Sequence, residues 1–135
     1  MILAIPFFVL VLIAYNITMF TGDINAILAA EVLSMELPSD AKWTLSGSDI
    51  FIIFGVIVLY LEIVKSTRTG TASILDHTFS TLVFVVFLIE FLIVQSCGTS
   101  TFFVLMLMSL LDVVSGFTVS IVAARRDFGF GPTGG

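Results

Sequence analysis

Three acids stand inside or beside long apolar runs of this chain, and their chemistry sets the first question: Asp112 at the centre of 101–124, Glu90 within 74–95, and Glu62 near the end of 50–64. A carboxylate at the bilayer centre costs about 2.5 to 3.5 kcal/mol on insertion scales. Asp112 must therefore turn toward other helices, a proton, a cation or trapped water. Glu62, Asp112 and Glu90 together could line a proton or cation path, which requires acids close enough in depth for contact or a bridging water. Their depths are unfavourable: Glu62 falls near one rim, Asp112 near the middle and Glu90 in the opposite half. Separate helix-to-helix hydrogen bonds are the simpler expectation, because pores need more polar lining than these runs supply.

Other polar residues in the apolar runs read as contacts between helices or with a partner. Asn16 lies toward the far end of the first run and is expected to bond a neighbouring helix. Gly55 and Glu62, seven residues apart, share a face on which a close approach and a carboxylate point the same way. Ser109, Asp112, Gly116 and Ser120 form one stripe at helical spacing, the pattern of close helix packing. Phe84, Phe87 and Phe91 could form a surface for a partner helix, a quinone or a lipid. His77 beside Asp76 invites a metal or acid–base reading, but adjacent helical residues diverge by about 100° and the chain has a single His. Cys97, flanked by Ser96 and Thr99, has no basic neighbour in sequence to activate a thiolate. No phosphate loop, nucleophile elbow or metal cluster is present in the sequence, so the expectation is no catalytic residue, no metal, no cofactor and no enzyme activity.

The elements that must position these residues follow from composition. With 59% apolar residues, 11% charged and a mean hydropathy of +1.20, 135 residues cannot hide their apolar surface in one water-soluble fold. The fold class expected is all-α, a polytopic membrane protein built as a bundle of four transmembrane helices with a short amphipathic helix between the first two. The spans fall at about 2–20, 49–65, 74–95 and 101–124, making 1–127 one domain, and 128–135 is a Gly-rich tail. A cleavable signal peptide is the rival for 2–20, but no Lys or Arg precedes the run and no clear cleavage site follows. Between spans, Ile24, Leu28, Val32 and Met35 recur at helical spacing and predict an amphipathic helix over 23–37 ended by Pro38. Ser46 to Asp49 open the next span with a capping residue and an acid. Ser73 and Asp76 give an S-x-x-D start for the third.

Charge sets the orientation. Four spans gather Lys65, Arg68, Arg125 and Arg126 on one side and leave only Lys42 opposite. The positive-inside rule makes the first side cytoplasmic, with both termini inside and the acidic segment and Trp43 outside. Trp43, Lys65, Arg68, Arg125 and Arg126 are the expected membrane-interface residues, Lys65 by reaching outward to the rim. A net charge of −5 leaves nothing basic to grip nucleic acid. The function expected is a non-enzymatic accessory or assembly subunit of a larger complex in a bacterial inner membrane. Its partners would be membrane lipids and other subunits or copies of itself. The alternative is a small oligomeric proton or cation transporter or channel using Asp112, Glu90 and Glu62.

Overall fold

In the computed structural model, residues 4–67 and 71–129 are described. The chain is mostly helical, 77% in five helices, with one small antiparallel hairpin. Helix α1 is Phe8–Thr21 and α2 is Ile24–Ala29; strands β1 (Glu31–Glu36) and β2 (Lys42–Ser46) follow; then come α3 (Gly47–Ser66), α4 (Thr71–Ile93) and α5 (Ser100–Gly129). A single 3-10 turn, Gln95–Cys97, joins α4 to α5. Three stretches, Gly47–Ser66, Ile74–Ile93 and Ser100–Val119, are long and apolar enough to cross a membrane.

The first apolar run departs from the expected span. Helix α1 starts two residues after Pro6, not near residue 2, and its 14 residues reach about 21 Å at 1.5 Å per residue, short of the ~30 Å hydrocarbon layer. Pro6 accepts the first turn's hydrogen bond from Val9 N–H and lacks a donor of its own, so it sits before the helix. The amphipathic helix expected over 23–37 is corrected more sharply. Only Ile24–Ala29 is helical, capped by Asp23, whose side chain accepts from Asn25 N–H at 3.0 Å, and it buries Ile24 and Leu28.

The rest of that segment is the hairpin. Leu33 faces Leu45 and Met35 faces Trp43 across one side, while Ser34 faces Thr44 and Glu36 faces Lys42 across the other. Turn chemistry decides this outcome. Pro38 follows Leu37 where a β-turn favours proline, Asp40 N–H donates to Leu37 O at 2.9 Å, and Asp40 takes a left-handed φ of 61°. Val32 and Met35 sit at helical spacing while Leu33 and Met35 alternate as on a strand, and the turn with KWTLS beyond it selects the strand.

Ser46 caps α3 with a capping box: Asp49 N–H donates to Ser46 Oγ at 3.3 Å and Ser46 N–H to Asp49 Oδ2 at 2.9 Å. Helix α4 is Thr71–Ile93, so Ser73 lies within its first turn. The core gathers Phe8, Val11, Leu12 and Tyr15 of α1 with Val58, Val83, Phe87, Phe102, Leu105 and Met106 of the longer helices. Helices α3 and α5 run side by side in the same direction, as shown by Ser48 against Thr101 at 2.6 Å and Gly55 against Leu105 and Met108. A Cβ on Gly55 would lie 2.7 Å from Leu105 Cδ2, so the glycine sets that approach.

Candidate functional site

The polar residues sort into two groups at opposite ends of the helices. At the end away from the hairpin, α3 closes with Glu62-x-x-Lys65, which a helix places on one face. The short connection after α3 returns the chain so that Asp76, near the start of α4, stands level with Lys65. The Lys65 ammonium lies 3.0 Å from Glu62 Oε1, 2.8 Å from Ile5 O and 2.8 Å from Asp76 Oδ1, the last an ion pair outside hydrogen-bond geometry. It also sits 4.3 Å over the Phe7 ring. Phe7 N–H donates to Glu62 Oε1, so the segment leading into α1 meets the pair through the Ile5 and Phe7 backbone and the Phe7 ring. All three charged side chains are enclosed, Glu62 at 1% exposure.

Asp112, 5% exposed on α5, completes this group. Its charged neighbours are Glu62, Asp76 and Lys65, and Ser80 of α4 stands within hydrogen-bonding reach. Four buried oxygens here make no hydrogen bond among the described residues: Glu62 Oε2, Asp76 Oδ1, Ser109 Oγ and Asp112 Oδ2. Ser109 lies one turn before Asp112 on α5. One turn after it, a Cβ on Gly116 would fall 2.6 Å from His77 Cε1 and Nδ1, so the imidazole packs directly on the glycine. The His77 and Phe117 rings are 5.5 Å apart.

At the hairpin end, Asn16 Nδ2 donates to Glu90 Oε2 at 2.9 Å and to Leu12 O at 2.9 Å. Cys97 Sγ lies 3.9 Å from the same Glu90 oxygen and 3.7 Å from Met19 Sδ. Tyr15 hydroxyl donates to Ser96 O at 3.2 Å and lies 2.7 Å from Thr99 Oγ1. Burial, then the nearby Glu90 charge, pushes the Cys97 thiol from 9.0 up to about 11.

The geometry thus brings Glu62 and Asp112, placed a step apart by their sequence depths, into one group, and leaves Glu90 with Asn16. Lys65, expected to reach outward to the rim, turns its ammonium inward because two carboxylates and a carbonyl surround it. Phe87 is fully buried against Phe8 and Phe102, with Phe84 and Phe91 only partly buried, so the three do not form one receiving surface. Trp43 is 42% exposed on the hairpin, and Arg125 is exposed near the end of α5. Arg68 and the side chains of Ser120 and Arg126 lie outside the described residues. Sequence reasoning missed Lys65 and Asp76 as members of the interior group. The readable signal was a lysine three residues after an acid at the end of an apolar helix, followed by a turn too short to move the next acid far away. Among the described residues, no three His, Cys, Asp or Glu side chains are grouped to hold a metal ion. Comparisons with family models, curated proteins and solved structures give no match for this chain.

Proposed function

We propose that this chain is a small, non-enzymatic integral membrane protein that crosses the bilayer four times, the short α1 with its flanking residues reaching from Lys65 at one end of the bundle to Ser96 at the other, and serves as an accessory or assembly subunit of a larger membrane complex. The hairpin carries the reading. Leu33, Met35 and Trp43 on its apolar side remain 42–45% exposed, flanked by Glu31, Glu36 and Asp40, beyond the end of the apolar helices where a partner's extramembrane surface would meet it. The intramembrane acids turn into the chain's own interior, so contact with a partner shifts from those acids to the hairpin and the apolar helix faces. Basic residues at the opposite end support a plasma-membrane orientation with the hairpin outside.

Purification in mild detergent tests this. Unrelated membrane chains should co-purify at fixed ratio, and the double substitution Met35→Ser with Trp43→Ser should lower their yield several-fold without unfolding the helices. Recovery of a lone monodisperse protein overturns the reading. A second reading, proton or cation movement, is favoured by the gathering of Glu62 and Asp112 with Asp76 and Lys65 in the interior. Reconstituted vesicles should then carry a flux that Asp112→Asn reduces, and vesicles as tight as protein-free ones would end that idea.

A further inference from the structure

We propose that the interior group of Glu62, Lys65, Asp76 and Asp112 is a proton-binding site, with the exchangeable proton on Asp112. This goes beyond the assembly reading, since a subunit that only scaffolds others can hold such a proton equally well.

Charge and geometry lead to the same atom. Three carboxyl groups face one ammonium in a space closed to water, with Glu62, Asp76 and Asp112 at 1%, 4% and 5% exposure. The ammonium lies 3.0 Å from Glu62 Oε1 and 2.8 Å from both Asp76 Oδ1 and Ile5 O, so its single positive charge is shared by Glu62 and Asp76 and the group's excess negative charge falls on Asp112. A buried carboxylate without a countercharge is far costlier than its neutral acid, and the group resolves this by holding a proton. The hydrogen-bond inventory gives a second, separate indication. Ser109 Oγ, on a residue 1% exposed, and Asp112 Oδ2, one turn away, are both buried without partners. A protonated Asp112 becomes a donor where an ionised one offers only acceptors, and the Ser80 hydroxyl of α4 stands within hydrogen-bonding reach of the same carboxyl.

Among the described residues, each element packed around the group contributes to it. Helix α3 gives Glu62 and Lys65, α4 gives Asp76, Ser80 and His77, α5 gives Ser109 and Asp112, and the segment before α1 gives the backbone at Ile5 and Phe7. No carboxylate trio is arranged for a metal among the described residues, which favours a proton over a coordinated cation. The His77 ring packs against Gly116, one turn past Asp112, so the measurement must tell a carboxyl from an imidazole.

Infrared spectroscopy of the full-length protein in detergent does so, because a protonated carboxyl has a carbonyl stretch that an imidazole lacks. Wild type at neutral pH should show that band, and it should shift on transfer to heavy water. Labelling all aspartates isotopically should move the band, and labelling glutamates should not. Asp112→Asn should abolish it, whereas Glu90→Gln and His77→Gln should keep it. Should Asp112→Asn fail to fold, the labelled wild type still decides the assignment. Absence of the band at neutral pH, its movement with glutamate labels, or its survival in Asp112→Asn overturns the proposal. Exchange of choline for sodium should leave the band unchanged. A band erased by sodium means a cation site and overturns it too.

Discussion

The two polar groups solve one physical problem, an acid inside an apolar helix, in opposite ways. Away from the hairpin, Glu62 is held by charge: an ammonium at 3.0 Å, itself shared with Asp76, at a place where all three side chains are enclosed. Toward the hairpin, Glu90 is held by neutral partners, the Asn16 amide at 2.9 Å and the Cys97 thiol at 3.9 Å, and the acid is only partly buried. The difference predicts how each fails. A charge network collapses when one member is removed, since the rest are left buried and unpaired, whereas a neutral network loses about one hydrogen bond at a time.

The largest effect should come from Lys65→Met. It leaves Glu62 and Asp76 facing each other without a cation, at a cost of about 3–5 kcal/mol, visible as a large fall in melting temperature in detergent. Adding Asp76→Asn and Glu62→Gln to Lys65→Met should restore most of that loss. If the single variant melts like wild type, the ammonium is not the group's keystone and the contrast between the two ends fails.

Gly116→Ala comes next. The added methyl would meet the His77 ring at 2.6 Å, and a buried ring has little room to yield, so overpacking should cost about 1–3 kcal/mol. Gly55→Ala should cost less although its clash is of similar size, because the methyl meets only the tips of Leu105 and Met108, which can swing aside. Thermal melts of the two variants side by side measure the difference. Equal losses would mean that His77 is no more firmly fixed than those flexible tips.

At the hairpin end, Asn16→Leu should cost only about 1–2 kcal/mol, the range of one intramembrane hydrogen bond with its acceptor left behind. Asn16→Leu combined with Glu90→Leu should cost little more than the single change. A loss matching that of Lys65→Met would show that Glu90 is as dependent on its partner as Glu62, erasing the distinction.

How much of this was legible in the sequence differs between the two ends for a physical reason. The three long apolar stretches, the capped start of α3 and the tight antiparallel return of α4 onto α5 follow from local pattern. The inward turn of Lys65 does not, because whether a lysine near a helix end reaches for the rim or for the interior depends on an acid 11 residues away across a turn. The hairpin was hidden differently: Val32 and Met35 fit helical spacing while Leu33 and Met35 fit strand alternation, and the deciding signals are the turn at Pro38 to Asp40 and the strand after it. The union of Glu62 with Asp112 was hidden because depth along separate helices says nothing about how far each side chain leans.

The smallest effect tests the neutral end most directly. Alkylation proceeds through the thiolate, and raising the Cys97 thiol from 9.0 to about 11 cuts the thiolate fraction at pH 8 about a hundredfold. A more basic thiolate is also more nucleophilic, which returns six- to tenfold, so chemistry alone should leave Cys97 about tenfold slower than an unfolded cysteine. Complete burial slows it further. Because the Glu90 charge is the second cause after burial, Glu90→Gln should speed iodoacetamide labelling of the folded protein only part of the way, with burial holding the remainder. If Glu90→Gln restored the rate of the unfolded chain, charge would dominate this end as it does the other. If it changed nothing, Cys97 would owe its inertness to enclosure alone, and the neutral network would reduce to the bond between Asn16 and Glu90.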